Sequence, residues 1–144
     1  MRIGIIAEGR ADIAVIKAVV KAITGIDGSD MYAIRPKEIL DETDGEELKF
    51  SNWELVLQSC NNEQLLVPFF EAIDDEAILV VHIDTAERGE KNYDVHEPQR
   101  TGHPDWKKYS RELRNNVKIK IETLIPERHR DKVAYAIAIE ETDA

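Results

Sequence analysis

Acidic residues stand directly after three apolar runs of this chain: Glu8 after MRIGIIA, Asp84 after AILVVHI, and Glu140 with Glu141 after VAYAIAI. Runs of this length and β-branched content read as buried strands. If the three strands lie parallel in one sheet, their carboxylates gather along its carboxyl edge, where open α/β sheets bind ligands. Grouped carboxylates favour hard divalent cations, and two such cations can stabilise both the attacking and the leaving oxygen of a phosphodiester displacement. The spacing therefore points to metal-dependent phosphate chemistry. One acid at a strand end is more often a polar loop residue or a helix cap; the weight lies in three strand ends agreeing.

The elements that must position these acids alternate between strand and helix. Residues 2–7 read as a first strand. Asp12 reads as the N-cap of a helix whose apolar face is Ile13, Ile16, Val19, Val20 and Ile23, with Gly25 closing it. Gly9, at that helix start, lets backbone approach an anion or cofactor closely, and Gly9 and Asp12 are the candidates for holding a cofactor there. Residues 31–35 form a short strand stopped by Pro36, and the acidic stretch 37–49 reads as a solvated loop. Ser51 caps a segment with Trp53, Leu55, Val56 and Leu57. Asn61 or Asn62 caps another with Leu65, Leu66, Phe69, Phe70 and Ile73, in which Pro68 predicts a kink or break. Residues 77–83 read as a central strand covered on both faces. A loop of the length of 85–104 is usually functional or disordered. Asp105 then caps a helix through Leu124, stopped by Pro126, and residues 132–139 form the last strand. By the right-handed crossover rule this order predicts an α/β fold: an open, mainly parallel four-stranded sheet with helices on both faces.

Other chemistries find less support. The sequence AEGRAD is neither a dinucleotide-binding glycine motif nor a phosphate-binding Walker loop, and Ser51 and Ser110 lack a nucleophile elbow. His82 lies within an apolar strand and reads as a hydrogen-bonded core residue. His96, His103 and His129 stand at no ligand spacing, and Cys60 has no cysteine partner, which disfavours zinc. The densest basic zone comprises Arg88, Lys91, Arg100, Lys107, Lys108, Arg111 and Arg114. Its ordinary reading is a solvated helix face, yet it is the one stretch suited to a phosphate backbone. Arg10, Arg88, Lys91 and Arg100 are the substrate-binding candidates.

The motifs AEGRAD, HIDTAE and the closing EETDA together resemble a Toprim domain, and more particularly the Toprim nucleases related to the OLD (overcoming lysogenization defect) enzymes. The resemblance covers nearly the whole chain. It implies a Toprim-like or Rossmann-like sheet, Mg2+ or Mn2+ as cofactor, and phosphodiester hydrolysis of DNA or RNA, in OLD-type relatives as a defence against mobile DNA. It matches Glu8 to the glutamate after the first strand, as metal ligand or acid-base catalyst, and Asp84 to the first aspartate of an Asp-x-Asp pair. Ala86 stands where the second aspartate belongs, and Glu87 is the nearest replacement. Glu140 or Glu141 matches the late acidic position. The resemblance thus implies Glu8, Asp84, Glu87, Glu140 and Glu141 as metal ligands, with Glu8 and Asp84 catalytic. The missing aspartate supports an alternative, a degenerate Toprim-like module that binds metal or a partner without catalysis. A receiver-like Mg2+-binding domain is a further alternative, although its acidic pair follows the first strand, where this chain has only Glu8.

Composition bounds these readings. A length of 144 residues fits one domain spanning 1–144. An apolar fraction of 42% with 33% charged residues, and no run approaching a membrane span, fit a soluble protein. A single cysteine and an N-terminus that opens directly on a strand favour the cytoplasm. The formal charge of -10 opposes non-specific nucleic-acid binding at long range. Bound cations, a second subunit or a partner domain would offset that charge. Thr142 and Asp143 look like a cap with no helix after it, so the C-terminus reads as truncated, or as covered by a homodimer or partner.

Overall fold

The computed structural model of the protein describes residues 1–36, 52–72, 76–85, 93, 95, 98 and 106–139. The β-branched runs form four strands: β1 (Arg2–Ile6), β2 (Met31–Arg35), β3 (Ala77–Asp84) and β4 (Val133–Ala138). Their order is β2-β1-β3-β4, and every neighbouring pair is parallel. The helices described are α1 (Arg10–Thr24), α2 (Asn52–Cys60), α3 (Glu63–Phe70) and α4 (Trp106–Leu124). The expected α/β architecture, an open parallel sheet with helices on both faces, is therefore the one observed.

Strand alternation divides the core in two. Ile3, Ile5, Ala7 and Val80 face α1 and meet its Ile13 and Ile16. Ile6, Leu79, Val81 and Ile83 face the opposite way, against Val56 of α2, Leu66 of α3, and Leu113, Val117 and Ile121 of α4. Burying each such aliphatic side chain contributes about 1.5–3 kcal/mol relative to exposure. β3 lies between β1 and β4 and has both faces covered, which is why its sequence is apolar without interruption.

Local chemistry explains most boundaries. Gly25 ends α1 in a left-handed conformation with φ of 73°, and its N–H donates to the Lys21 carbonyl. Asn62 caps α3 by accepting the Leu65 N–H at 3.2 Å. In α4, Tyr109, Leu113, Val117 and Ile121 recur every four residues on the buried side, while Lys107, Lys108, Arg111 and Arg114 are exposed.

Three expectations are corrected. The N-cap of α1 is Gly9, and Asp12 stands three positions later, inside the first turn. The buried face of α1 is narrower than its apolar pattern, since Val19 is 49% and Ile23 78% exposed. Pro68 does not divide α3, which continues through it to Phe70. The proline lies within the last turn of the helix, and the break between the two short helices falls instead at Asn61 and Asn62. Stretch 37–49, Ser51, Ile73, Asp105 and most of segment 85–104 lie outside the described residues. Among the described residues no helix is long and apolar enough to cross a membrane.

Candidate functional site

The connection leaving β1 leads to β2 on one side, and the connection leaving β3 leads to β4 on the other. Between the carboxyl ends of β1 and β3 the winding reverses, which opens the crevice where sheets of this kind bind ligands. Glu8 follows β1 and Asp84 ends β3, so both stand at this switch point.

The turn carrying Glu8 is fixed from β2. The guanidinium of Arg35, buried beneath it, donates through Nη1 to the carbonyls of Ala7 at 2.7 Å and Glu8 at 3.1 Å. The Ala7 N–H donates to the Arg35 carbonyl at 2.8 Å. Held in this way, the half-buried Glu8 carboxylate accepts the backbone N–H of Asp84 through Oε2 at 2.9 Å. Among the described residues no donor engages its Oε1. Burial lifts the Glu8 carboxyl above its ordinary range; the Asp84 N–H opposes the shift, the charges of Asp84 and Asp12 add to it, and His82 lowers it.

Asp84 is held through its backbone. Its carbonyl accepts the Tyr93 hydroxyl at 3.0 Å, and the buried Tyr93 ring packs at a tilt against Trp53 with centroids 5.2 Å apart. The next residue, Thr85, donates from both N–H and hydroxyl to the Ala138 carbonyl at 3.0 and 2.9 Å, tying the end of β3 to β4.

Asp12 joins the site from α1. Its Oδ2 accepts the Gly9 N–H at 3.1 Å, satisfying a donor at the helix start by reaching back from inside the first turn. Its Oδ1 lies 3.5 Å from Nε2 of His82. The expected hydrogen bond of His82 is present, since Nδ1 meets the Ala136 carbonyl at 2.8 Å. A carbonyl only accepts, so Nδ1 carries a proton and Nε2 is the nitrogen turned to Asp12. His82 is therefore a neighbour of the acidic site as well as a residue of the sheet. The sequence held a signal for this: two residues before Asp84 in a strand, His82 shares its face.

Gly9 is extended, with φ of -144°, and a Cβ there would meet only Asp12 Oδ2 at 3.4 Å, an ordinary contact. Neither backbone conformation nor crowding among the described residues requires a glycine at this position. Arg10 opens α1, exposed, beside the site. Lys107 and Lys108 lie in the first turn of α4, the next described helix after β3. Glu87, Arg88, Lys91, Arg100, Glu140 and Glu141 lie outside the described residues.

The donor set at this edge, the carboxylates of Glu8, Asp12 and Asp84, is the hard-oxygen chemistry that Mg2+ or Mn2+ prefers. Mutual repulsion around Glu8 is what a cation would relieve. Among the described residues, no three acidic, histidine or cysteine side chains already converge on one point. A cation here would draw on side-chain rotation and on water for its remaining ligands. Comparison of the chain with protein-family models, with curated proteins and with solved structures returns no match.

Proposed function

We propose that the switch-point edge binds Mg2+ or Mn2+ and hydrolyses phosphodiester bonds of nucleic acid, as a Toprim-like nuclease would, with defence against mobile DNA as its setting. The observation that carries this reading is the approach of the Glu8 carboxylate to Asp84, 76 positions away, whose backbone N–H it accepts at the crevice. Glu8, Asp12 and Asp84 would hold the cation, which supplies Lewis-acid stabilisation to a phosphate oxygen gaining charge. In the alternative role, not ligating the cation, Glu8 has its proton affinity raised by burial, holds or releases a proton at Oε1 and serves as acid-base group toward water or the leaving oxygen. Arg10, Lys107 and Lys108 position phosphate, and Gly9 leaves room for it beside the helix start.

A second reading, a module that binds a cation or partner without catalysis, is favoured by Ala86 in the place of a second aspartate. The separating experiment is cleavage of plasmid DNA and of RNA with Mg2+ or Mn2+, comparing wild type with Glu8→Gln and Asp84→Asn. Cleavage by the wild type that both variants lose supports the nuclease. Equal rates in all three remove catalysis from this edge.

A further inference from the structure

Most of the acidic edge presents oxygen donors, but one nitrogen is built into it. His82 and Asp84 share a face of β3, and the His82 ring is fixed at one end by the 2.8 Å hydrogen bond from Nδ1 to the Ala136 carbonyl of β4. Metal-binding imidazoles are characteristically anchored in this way, the ring nitrogen that does not bind donating its N–H to a carbonyl or carboxylate. The anchor leaves Nε2 turned toward Asp12, whose Oδ1 stands 3.5 Å away. That separation exceeds a charge-assisted hydrogen bond, about 2.7–2.9 Å. It is the spacing two donors keep when each lies about 2.1 Å from one cation at a near-tetrahedral angle. Asp12 is itself held, since its other oxygen accepts the Gly9 N–H at 3.1 Å. The ring is reachable, with 17% of its side-chain surface exposed.

We propose that His82 contributes Nε2 to the divalent cation at this edge, so that the site takes a first-row transition ion of the Mn2+, Co2+ or Zn2+ type in preference to Mg2+. The inference rests on the carboxylate edge holding a cation, as proposed above, and adds the class of ion. An imidazole nitrogen is taken by d-electron ions, by Zn2+ and Co2+ more strongly than by the harder Mn2+, whereas Mg2+ holds to carboxylate and water. One nitrogen from His82 and one oxygen from Asp12, on elements already fixed in place, form a two-point seat. Glu8 or Asp84 and water complete it after rotation.

The test is spectroscopic, on the full chain loaded with Mn2+. Pulsed EPR of the wild type is expected to show coupling of the manganese spin to an imidazole 14N. The coupling is expected to vanish in His82→Asn, whose amide can keep the hydrogen bond to Ala136, and in His82→Gln. Competition titration is expected to show the Mn2+ over Mg2+ preference falling at least about tenfold in both variants, because a ligand has been lost. A measurement without any variant guards against misfolding: substoichiometric Mn2+ broadens the Nε2 resonance of His82 in the wild type before those of the other histidines. Mn2+ bound without nitrogen coupling overturns the inference and leaves the carboxylate reading standing. Coupling that survives in His82→Asn also overturns it. Wild type that binds no Mn2+ overturns both. Coupling without nucleic-acid cleavage upholds the inference and removes the hydrolase.

Discussion

The Glu8 carboxylate accepts the backbone N–H of Asp84 at 2.9 Å, so one acid of the site is anchored on the main chain of the other. Burial raises the Glu8 pKa above the unperturbed 4.5 despite that bond. The folded state therefore binds the Glu8 proton more tightly than the unfolded chain. Stability from this group is complete below pH 4.5 and is lost as pH rises through the folded value. Glu8→Gln keeps an acceptor for the Asp84 N–H and removes the charge. The variant is expected to be at least as stable as wild type at pH 7, with its relative advantage shrinking as pH falls toward 4. Urea unfolding at several pH values measures this. A variant clearly less stable at pH 7 would show that the ionised carboxylate is structural.

The catalytic consequence runs the other way. If Glu8 transfers a proton, Glu8→Gln loses a factor on the order of 10²–10⁴ in cleavage rate while its fold persists. Glu8 acting as base would also give wild-type kcat/KM an acidic limb displaced above the ordinary glutamate range, and the limb would disappear in the variant. Asp84→Asn is expected to lose divalent-ion affinity, read by calorimetry, as well as rate. A variant stabilised and inactivated together is the signature of a site that accepts electrostatic strain for function.

How far sequence carried is clearest from particular residues. Strands β1 to β4 were legible because their β-branched runs are bounded by Glu8, Pro36, Asp84 and the turn before Val133, each a local signal. The start of α1 was misplaced because Gly9 has no side chain to announce a cap, and Asp12 accepts the Gly9 N–H from inside the helix. Val19 and Ile23 read as core because periodicity records which side chains are apolar, not how wide a strip of the helix the sheet can cover. The pairing of Glu8 with Asp84 was legible in outline from strand order. The approach of His82 to Asp12 was not, because it depends on how α1 docks across β3, a contact 70 positions apart. Residues such as Glu87 and Glu140, whose roles came from resemblance, lie beyond what the described structure addresses.

Close packing beneath the switch point supplies a stability prediction. Gly4 in β1 faces α3, and a Cβ there would lie 2.5 Å from Ile34 Cδ1 and 2.8 Å from Phe69 Cζ. The Phe69 ring is further held by the Arg2 guanidinium, 5.4 Å from its centroid, and by an edge contact with Phe70. Gly4→Ala is expected to lower stability by about 1–3 kcal/mol, the usual cost of overpacking a filled core. Chemical denaturation at pH 7 measures it, and unchanged stability would mean that Ile34 and Phe69 yield freely.

Cys60, the last residue of α2, is fully buried, and burial pushes its thiol up to about 12. Thiolate is the reactive form, so thiol reagents at pH 8 should label the native protein only as fast as α2 opens. Labelling is expected to accelerate in denaturant in step with unfolding. Rapid modification of the folded protein would contradict the packing of α2 against β3.

His129 supplies the acid-side counterpart to Glu8. The residue is 3% exposed, and its ring stacks on Phe70, with centroids 4.6 Å apart and planes within 10°. The Glu71 carboxylate is 3.5 Å from Nε2, beyond a good hydrogen bond, and the same oxygen accepts Nε of Arg128 at 3.2 Å. Burial, followed by the charges of Arg128 and Lys132, drives the imidazole below its ordinary 6.5, with Glu71 opposing. The unfolded chain then binds this proton more readily than the folded one, so stability from His129 is present above pH 6.5 and is lost as pH falls through the depressed folded value. His129→Phe keeps an aromatic partner for Phe70 and cannot titrate. The stability difference between wild type and this variant is therefore expected to move against wild type between pH 7.5 and pH 5. Glu8 is common to both proteins and cancels in that difference. A difference that stays flat across this range would place the His129 ring in contact with water.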